Sequence, residues 1–306
     1  MIIERRKFVS LTALAAVAGA ALLYQSAGFA EAPDAKAAAM PDLSGIWWHP
    51  SLPGPEPLAS GPTGLKNLSR DKTGVSDYDQ LVGDYHNPIL KAQTAAVVKK
   101  FGELSRAGIT FPSPANQCWP EPVPYIYKSF AIQIFQQPDM TTIIHDQDHE
   151  VRRIRMNVPH PAKVVPSWYG DSVGHYEGDT LVIDTIGTRT DRPYAMIDLY
   201  GTPYSDKLHV VERYRLVPYE EAKEGIERDA KENRRPPVGI DRSYRGKYLQ
   251  LFYTVEDPEE FTRPWSATVT YGRGSDDWPE TVCAENRHEY YNNKNSDVPQ
   301  ADKPDF

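Results

Sequence analysis

The densest group of titratable side chains in the 306-residue chain is His145-Asp146-Gln147-Asp148-His149-Glu150. Two geometries follow from these letters. An uninterrupted strand sets His145 and His149 roughly 13 Å apart at about 3.3 Å per residue, too far for one metal ion. A three-residue hairpin loop over Asp146-Gln147-Asp148 makes them a cross-strand pair about 5 Å apart, suited to ligation or to acid–base work. A solvated polar turn is the plain alternative. A second candidate is His175, with Asp171 on the same strand face by period two: a histidine oriented by a carboxylate is a general base near neutral pH. The competing reading is a rim histidine beside the Glu177-Gly178-Asp179 turn. The third is the strand Leu208 to Val217. Period two puts His209, Val211 and Arg213 on one face, and Leu208, Val210, Glu212 and Tyr214 on the other. If the second face points inward, Glu212 is buried and needs a partner or a raised pKa. Arg152 and Arg153 are the candidate partners, in which case the pair is first of all a structural one.

Other chemistries lack their motifs. There is no P-loop, G-x-G-x-x-G, H-E-x-x-H or C-x-x-C, which argues against nucleotide binding and a compact zinc or haem site. No cofactor is expected; a divalent metal would require ligands assembled from distant segments. The 34 Lys/Arg against 42 Asp/Glu leave a net charge of −8, which argues against a nucleic-acid partner. A mean hydropathy of −0.56 argues against a polytopic membrane protein. The expected partner is a small apolar or phenolic molecule, since 18 Tyr, 9 Phe and 6 Trp supply apolar bodies with polar tips for lining a pocket.

The first 32 residues read as a secretory signal. Glu4-Arg5-Arg6-Lys7-Phe8-Val9 precedes an apolar run from Leu11 to Leu23. Small-residue cleavage sites follow at Ala30 and Ala32, and the Arg-Arg pair is of the twin-arginine type. The run falls short of the ~20 residues of a span, so no stable membrane span is expected after processing. A periplasmic or secreted location follows. In an oxidising compartment the two cysteines, Cys118 and Cys283, read as a disulfide, with two free thiols as the alternative.

The elements that must position these residues are mostly strands. Residues 33–306 read as one β-rich domain. Residues 50–86 form a long Pro/Gly/Ser/Asp-rich loop. Asn87 as N-cap and Pro88 at N1 predict a helix over 88–107, with Leu90, Thr94, Val97, Phe101 and Leu104 on its apolar side and Gly108 as its stop. About eight to ten strands follow, among them a hairpin of Ser172–Tyr176 and Thr180–Ile186. The charged segment 219–235 reads as an inserted solvated helix. Strands contiguous in sequence, without βαβ alternation, predict an antiparallel barrel with one or two peripheral helices. Gly45-Ile46-Trp47 resembles the Gly-x-Trp near the first lipocalin strand, which implies a calyx-like barrel around one small ligand.

Several blocks, spread over nearly the whole mature chain, resemble a large family of exported, uncharacterised bacterial proteins. They include Pro41 to Trp47, Cys118-Trp119-Pro120, Pro159-His160-Pro161 and the long run from Trp168-Tyr169-Gly170-Asp171-Ser172 through Leu181-Val182-Ile183-Asp184-Thr185. Leu208 to Tyr214, Thr262-Arg263-Pro264-Trp265 and Cys283-Ala284-Glu285-Asn286 belong to the same set. The chain departs from that pattern at Tyr176, Asn157-Val158 and Tyr204. The resemblance implies export and architecture, not a reaction. The functional expectation is an exported small-molecule-binding barrel acting on a hydrophobic or phenolic compound by His/carboxylate acid–base chemistry, as a lyase or isomerase. Its site residues would be His145, His149, Asp171, His175 and Glu212. A non-catalytic carrier and a metal-assisted hydrolase are the alternatives.

Overall fold

The computed structural model describes residues 40–49, 56–57, 61–128, 130–147, 150–192, 195–232, 241–278, 282–283 and 294–295. The described strands are β1 (Gly45–Trp48), β2 (Glu56–Pro57), β3 (Ile109–Thr110), β4 (Ala131–Gln136), β5 (Met140–His145), β6 (Val151–Met156), β7 (Asp171–Glu177), β8 (Thr180–Ile186), β9 (His209–Pro218), β10 (Lys247–Glu256), β11 (Trp265–Tyr271) and β12 (Lys294–Asn295). The main sheet runs β1-β4-β5-β6-β7-β8-β9-β10-β11-β2. Its nine long strands curl until the first meets the last: Trp48 N–H donates to the Gly272 carbonyl at 2.9 Å, and Gly272 N–H to the Trp48 carbonyl at 2.8 Å. The guanidinium of Arg273 lies 3.6 Å over the Trp47 ring and donates to the Ile46 and Ser44 carbonyls. The fold is therefore a nearly closed, mainly β barrel with peripheral helices, as expected. Within the main sheet one strand pairing departs from the antiparallel pattern. β6 and β7 run parallel, because the 157–170 connection carries the chain back along the barrel before β7 begins.

Period two decides what fills the barrel. From β8 to β11 the inward set is Leu181, Ile183 and Thr185; Val210, Glu212 and Tyr214; Leu249, Leu251, Tyr253 and Val255; Ala267, Val269 and Tyr271, all buried. The β7–β8 hairpin turns on Gly178 at φ +63°, the sign that the first central position of a type II′ turn requires.

The first helix, α1 (Ala92–Arg106), starts one turn later than the predicted 88–107. Asn87 caps a local turn instead, its Oδ1 accepting the Ile89 N–H at 3.1 Å. The following backbone is held elsewhere: Leu90 bridges Phe261, and Lys91 N–H donates to the Glu260 carbonyl. The buried stripe is Thr94, Val98, Gly102 and Ser105, rotated from the predicted one, and Gly102 lets the helix approach Val82. The 61–86 part of the long loop is organised by the buried side chain of Asn67. Its Oδ1 accepts from Ser69 and Val82 N–H, and its Nδ2 donates to Ser76 and Asp77. The charged segment does form a helix, α2 (Tyr219–Glu232). It is not solvated on every side: Ala222 and Ile226 pack with Val217 and Tyr248 on the outer wall.

Cys118 and Cys283 are joined, with Cα atoms 5.4 Å apart and a separation of 165 positions in sequence. Closing a loop of that length stabilises by on the order of 5 kcal/mol in the chain-entropy model. The native protein should give no free thiols before reduction. A Cys118→Ser/Cys283→Ser variant should unfold at clearly lower urea concentration than the oxidised wild type. Two reactive thiols in the native protein would contradict this bond.

Candidate functional site

The barrel interior holds a polar cluster around one ion pair. Arg152, inward on β6, and Glu212, inward on β9, are both buried and meet in a two-pronged contact: Nη1 to Oε1 at 2.9 Å and Nη2 to Oε2 at 2.6 Å. Register selects Arg152 over Arg153, since Arg152 pairs with the inward Ile143 and Arg153 with Thr142. Tyr214 donates its hydroxyl to Glu212 Oε1 at 3.0 Å. Ser172 and Thr185 hydroxyls lie 3.4 Å from Arg152 Nη2 and 2.9 Å from each other. Tyr127 comes from the 3-10 turn Tyr125–Lys128, and burial together with the Glu212 charge pushes its hydroxyl pKa well up. Burial and the same charge raise Tyr214 and Tyr271. All three tyrosines therefore remain neutral hydroxyls. Arg152 stays cationic, because Glu212 more than offsets the opposing effect of burial.

His145 lies within this environment. It is inward on β5, fully buried, and among the described residues neither ring nitrogen has a hydrogen-bond partner. Burial, then the charge of Arg152 and the proximity of His49, push its pKa well below the usual value, so the imidazole is neutral. His49 is itself buried and meets Tyr271 edge-on, with ring centroids 4.7 Å apart. It also borders a cavity of about 30 Å³ at one end of the barrel. Tyr125, Tyr127, Lys128, Asp198 and Tyr253 line that cavity, with Ile197, Leu199 and Val269. This is room for about one or two water molecules. Its cover is the Tyr125–Lys128 turn and the Ile197 to Leu199 segment. Burial raises the Asp198 carboxyl, although it accepts from the Thr202 hydroxyl and from the Tyr200 and Thr202 N–H groups.

The expected site set is divided by the barrel wall. His145 and Glu212 point inward. Asp171 and His175 share a face as expected, but it is the outer one. His175 is exposed and contacts Glu177 at 3.2 Å, while Asp171 pairs with Arg155 at 2.7 Å and with His160 at 2.6 Å. Neither joins His145, because alternation on β7 turns Ser172 inward. Glu150 stands opposite His145, whose N–H donates to its carbonyl at 2.8 Å. The expected three-residue turn required His149 there. His149 lies outside the described residues.

The outer wall carries its own chain of charges. His160, in the 157–170 connection, places Nδ1 2.6 Å from Asp171 Oδ2 and Nε2 3.0 Å from Asp184 Oδ1. His209 Nε2 reaches both oxygens of Asp184 at 3.1 Å. Among the described residues no group of three His, Cys, Asp or Glu is arranged to hold a metal ion. No helix among them is long and apolar enough to cross a membrane.

Set against protein-family models, curated proteins and solved structures, the chain matches none. The site is therefore defined by its own geometry. Sequence reading missed His49, Tyr127 and Tyr271 in the interior and His160 and Asp184 outside. Tyr271 had a visible signal, as it ends a strand whose alternate residues Ala267 and Val269 are apolar. His49 and Tyr127 lie outside regular strands and had none.

Two outcomes follow. Removing one partner of the central pair leaves a buried charge uncompensated, which costs about 3–5 kcal/mol. Arg152→Met and Glu212→Leu should each lower the urea midpoint sharply, and the double variant should lose much less than the sum. Additive losses would disprove the coupling. On the outer wall, the Asp184 hydrogen bond raises the His209 pKa; hydrogen bonds from His209 and His160 hold Asp184 below its usual range although burial opposes them. The His209 contribution is thus complete below its unfolded pKa of about 6.5 and is lost as pH rises through the higher folded value. The Asp184 contribution is complete above about pH 3.9 and is lost as pH falls through the depressed folded value. Wild type should exceed His209→Gln in Tm most clearly near pH 5–6, with the gap closing toward pH 9.

Proposed function

We propose that this protein is exported and binds one small, largely apolar or phenolic molecule at the covered end of its barrel, and that it acts on that molecule by acid–base chemistry with His145 as general base. The observation that carries this reading is the state of His145: wholly buried, neutral, and without a hydrogen-bond partner among the described residues. Buried polar groups are nearly always satisfied, so one that is not marks a place where water or ligand belongs. An imidazole held neutral has its lone pair available for a proton. Tyr125, Tyr127 and Tyr253 offer aromatic walls to a flat molecule, with Ile197, Leu199 and Val269 between them. At about 30 Å³ the cavity requires its cover to shift as the ligand arrives. Proton transfer without metal or redox steps fits the lyase or isomerase class.

Export supports the setting. The Arg5-Arg6 signal, the disulfide and the resemblance to exported bacterial proteins point together to a periplasmic protein. The mature chain should begin near Glu31 or Pro33.

The test uses protein purified from the periplasm. Small aromatic alcohols and ketones are screened for a rise in Tm, and hits are followed for turnover. His145→Gln should lower turnover by about 100-fold or more while leaving Tm nearly unchanged. Hits that bind but are released unaltered by the wild type would favour the carrier instead.

A further inference from the structure

Among the interior polar groups with no hydrogen-bond partner among the described residues are the His145 ring nitrogens, the Tyr271 hydroxyl and Arg152 Nε. All three residues are essentially inaccessible to solvent. They are not scattered. Arg152 follows His145 around the wall, on the strand hydrogen-bonded to β5, with Arg152 opposite Ile143 and His145 the next inward residue on that strand. Tyr271 lies across the seam. His145 pairs with Ile132, Ile132 with Trp47, and Trp48 with Gly272, so Tyr271 stands opposite His49, one inward position along from the His145 row, with β1 and β4 between them. His49 fills the space above, against the Tyr271 ring and on the border of the cavity.

The chemistry of the three groups is complementary. Tyr271 has an O–H to donate. Arg152 uses both terminal nitrogens on Glu212 and keeps one Nε–H. His145 is neutral, with one nitrogen able to accept a proton. Two donors and one base, all buried in the barrel interior, match a group that gains negative charge on oxygen as it loses a proton from carbon.

We propose that Tyr271 O–H and Arg152 Nε–H form an oxyanion site facing His145, and that the substrate class is an enolisable carbonyl compound carrying an aromatic or apolar body. This rests on the reading of His145 as the base. The lone pair of His145 takes a proton from the carbon next to the carbonyl. The C–H electron pair becomes the C=C bond of an enolate, and the carbonyl π pair moves to oxygen. There it accepts hydrogen bonds from Tyr271 and Arg152. The imidazolium then returns its proton to carbon, at the original position or at the far end of a conjugated system. The latter is a double-bond isomerisation, with no oxidant or reductant consumed. Glu212 is a positioning residue: it holds both terminal nitrogens of Arg152 and so fixes the direction of Nε–H.

The experiment separates this inference from the reading beneath it. Phenol and 4-nitrophenol are titrated into the mature protein, since a phenolate is planar and carries its charge on one oxygen as an enolate does. Binding of neutral phenol reports the chamber. The absorbance of bound 4-nitrophenol reports whether the anion is favoured. In the wild type the bound 4-nitrophenol should be more ionised than the free compound at the same pH. Tyr271→Phe, which keeps the ring, should reduce that preference by about 10-fold or more. Deuterium uptake from D2O into the methyl group of acetophenone should be catalysed by wild type, lost in His145→Gln, and lowered about 100-fold in Tyr271→Phe. Phenol binding with no preference for the anion, and exchange unaffected by Tyr271→Phe, would overturn the oxyanion site and leave the binding barrel standing. Absence of both binding and exchange would overturn both. Should Tyr271→Phe fail to fold, the ionisation of 4-nitrophenol bound to wild type still decides: equal ionisation bound and free refutes the site.

Discussion

The buried contact between Arg152 and Glu212 is the constraint on which the interior depends. A guanidinium and a carboxylate so far from water are tolerable only when each satisfies the other. That requirement fixes β6 against β9 across the barrel and draws Tyr214, Ser172 and Thr185 into supporting positions. It also sets the electrical character of the space. Burial, reinforced by the carboxylate, keeps three tyrosine hydroxyls protonated, and burial, reinforced by the guanidinium, keeps His145 uncharged. An apolar pair of equal volume would hold the same strands together. It would leave the histidine and the tyrosines without the field that reinforces the effect of burial on them.

Much of this was legible in period two. The hairpin around Gly178, the inward face of β9 and the choice of an arginine partner for Glu212 all follow from alternation and spacing. Alternation does not say which face is inside when both faces are polar, and β7 is the case in point. Its inner residues are Ser172 and Gly174, kept small by Arg152 on one side and by Ile154 and Met156 on the other: a Cβ on Gly174 would come within 2.9 Å of Ile154 Cγ2. A strand with such an inner face carries no apolar signal, so Asp171 and His175 looked as well placed as Ser172. The helix start failed for a related reason. Asn87-Pro88 is a good cap in isolation, but the backbone after it is taken by Glu260 and Phe261, which lie far away in sequence. Likewise His49 and Tyr127 reach the interior from irregular segments whose course depends on the closed barrel.

The 157–170 connection shows how one parallel pairing reorganises a surface. Antiparallel neighbours are joined by tight turns and leave the outer wall open. Here the chain returns along the wall, and His160 meets Asp171 and Asp184 from adjacent strands. The same carboxylates have basic neighbours from flanking strands: Arg155 for Asp171, His209 for Asp184. Asp171, one of the residues expected in the site, instead helps to fasten this segment through His160.

The seam at Trp48 and Gly272 has a consequence for how the barrel comes into being. Those two hydrogen bonds join residues 224 positions apart, and β1 and β11 meet only there. Neither β1 nor β11 can serve as a finished wall strand until the other is present. A growing chain therefore keeps two unpaired strand edges until more than 270 residues have been made. Unpaired edges are the places where chains join the wrong partners, and contacts so distant in sequence form slowly. Arg273, one residue beyond the seam, seals it from outside by lying on Trp47 and holding two carbonyls of the β1 region. The closing of the ring thus depends on two residues just past the final wall strand, Gly272 and Arg273.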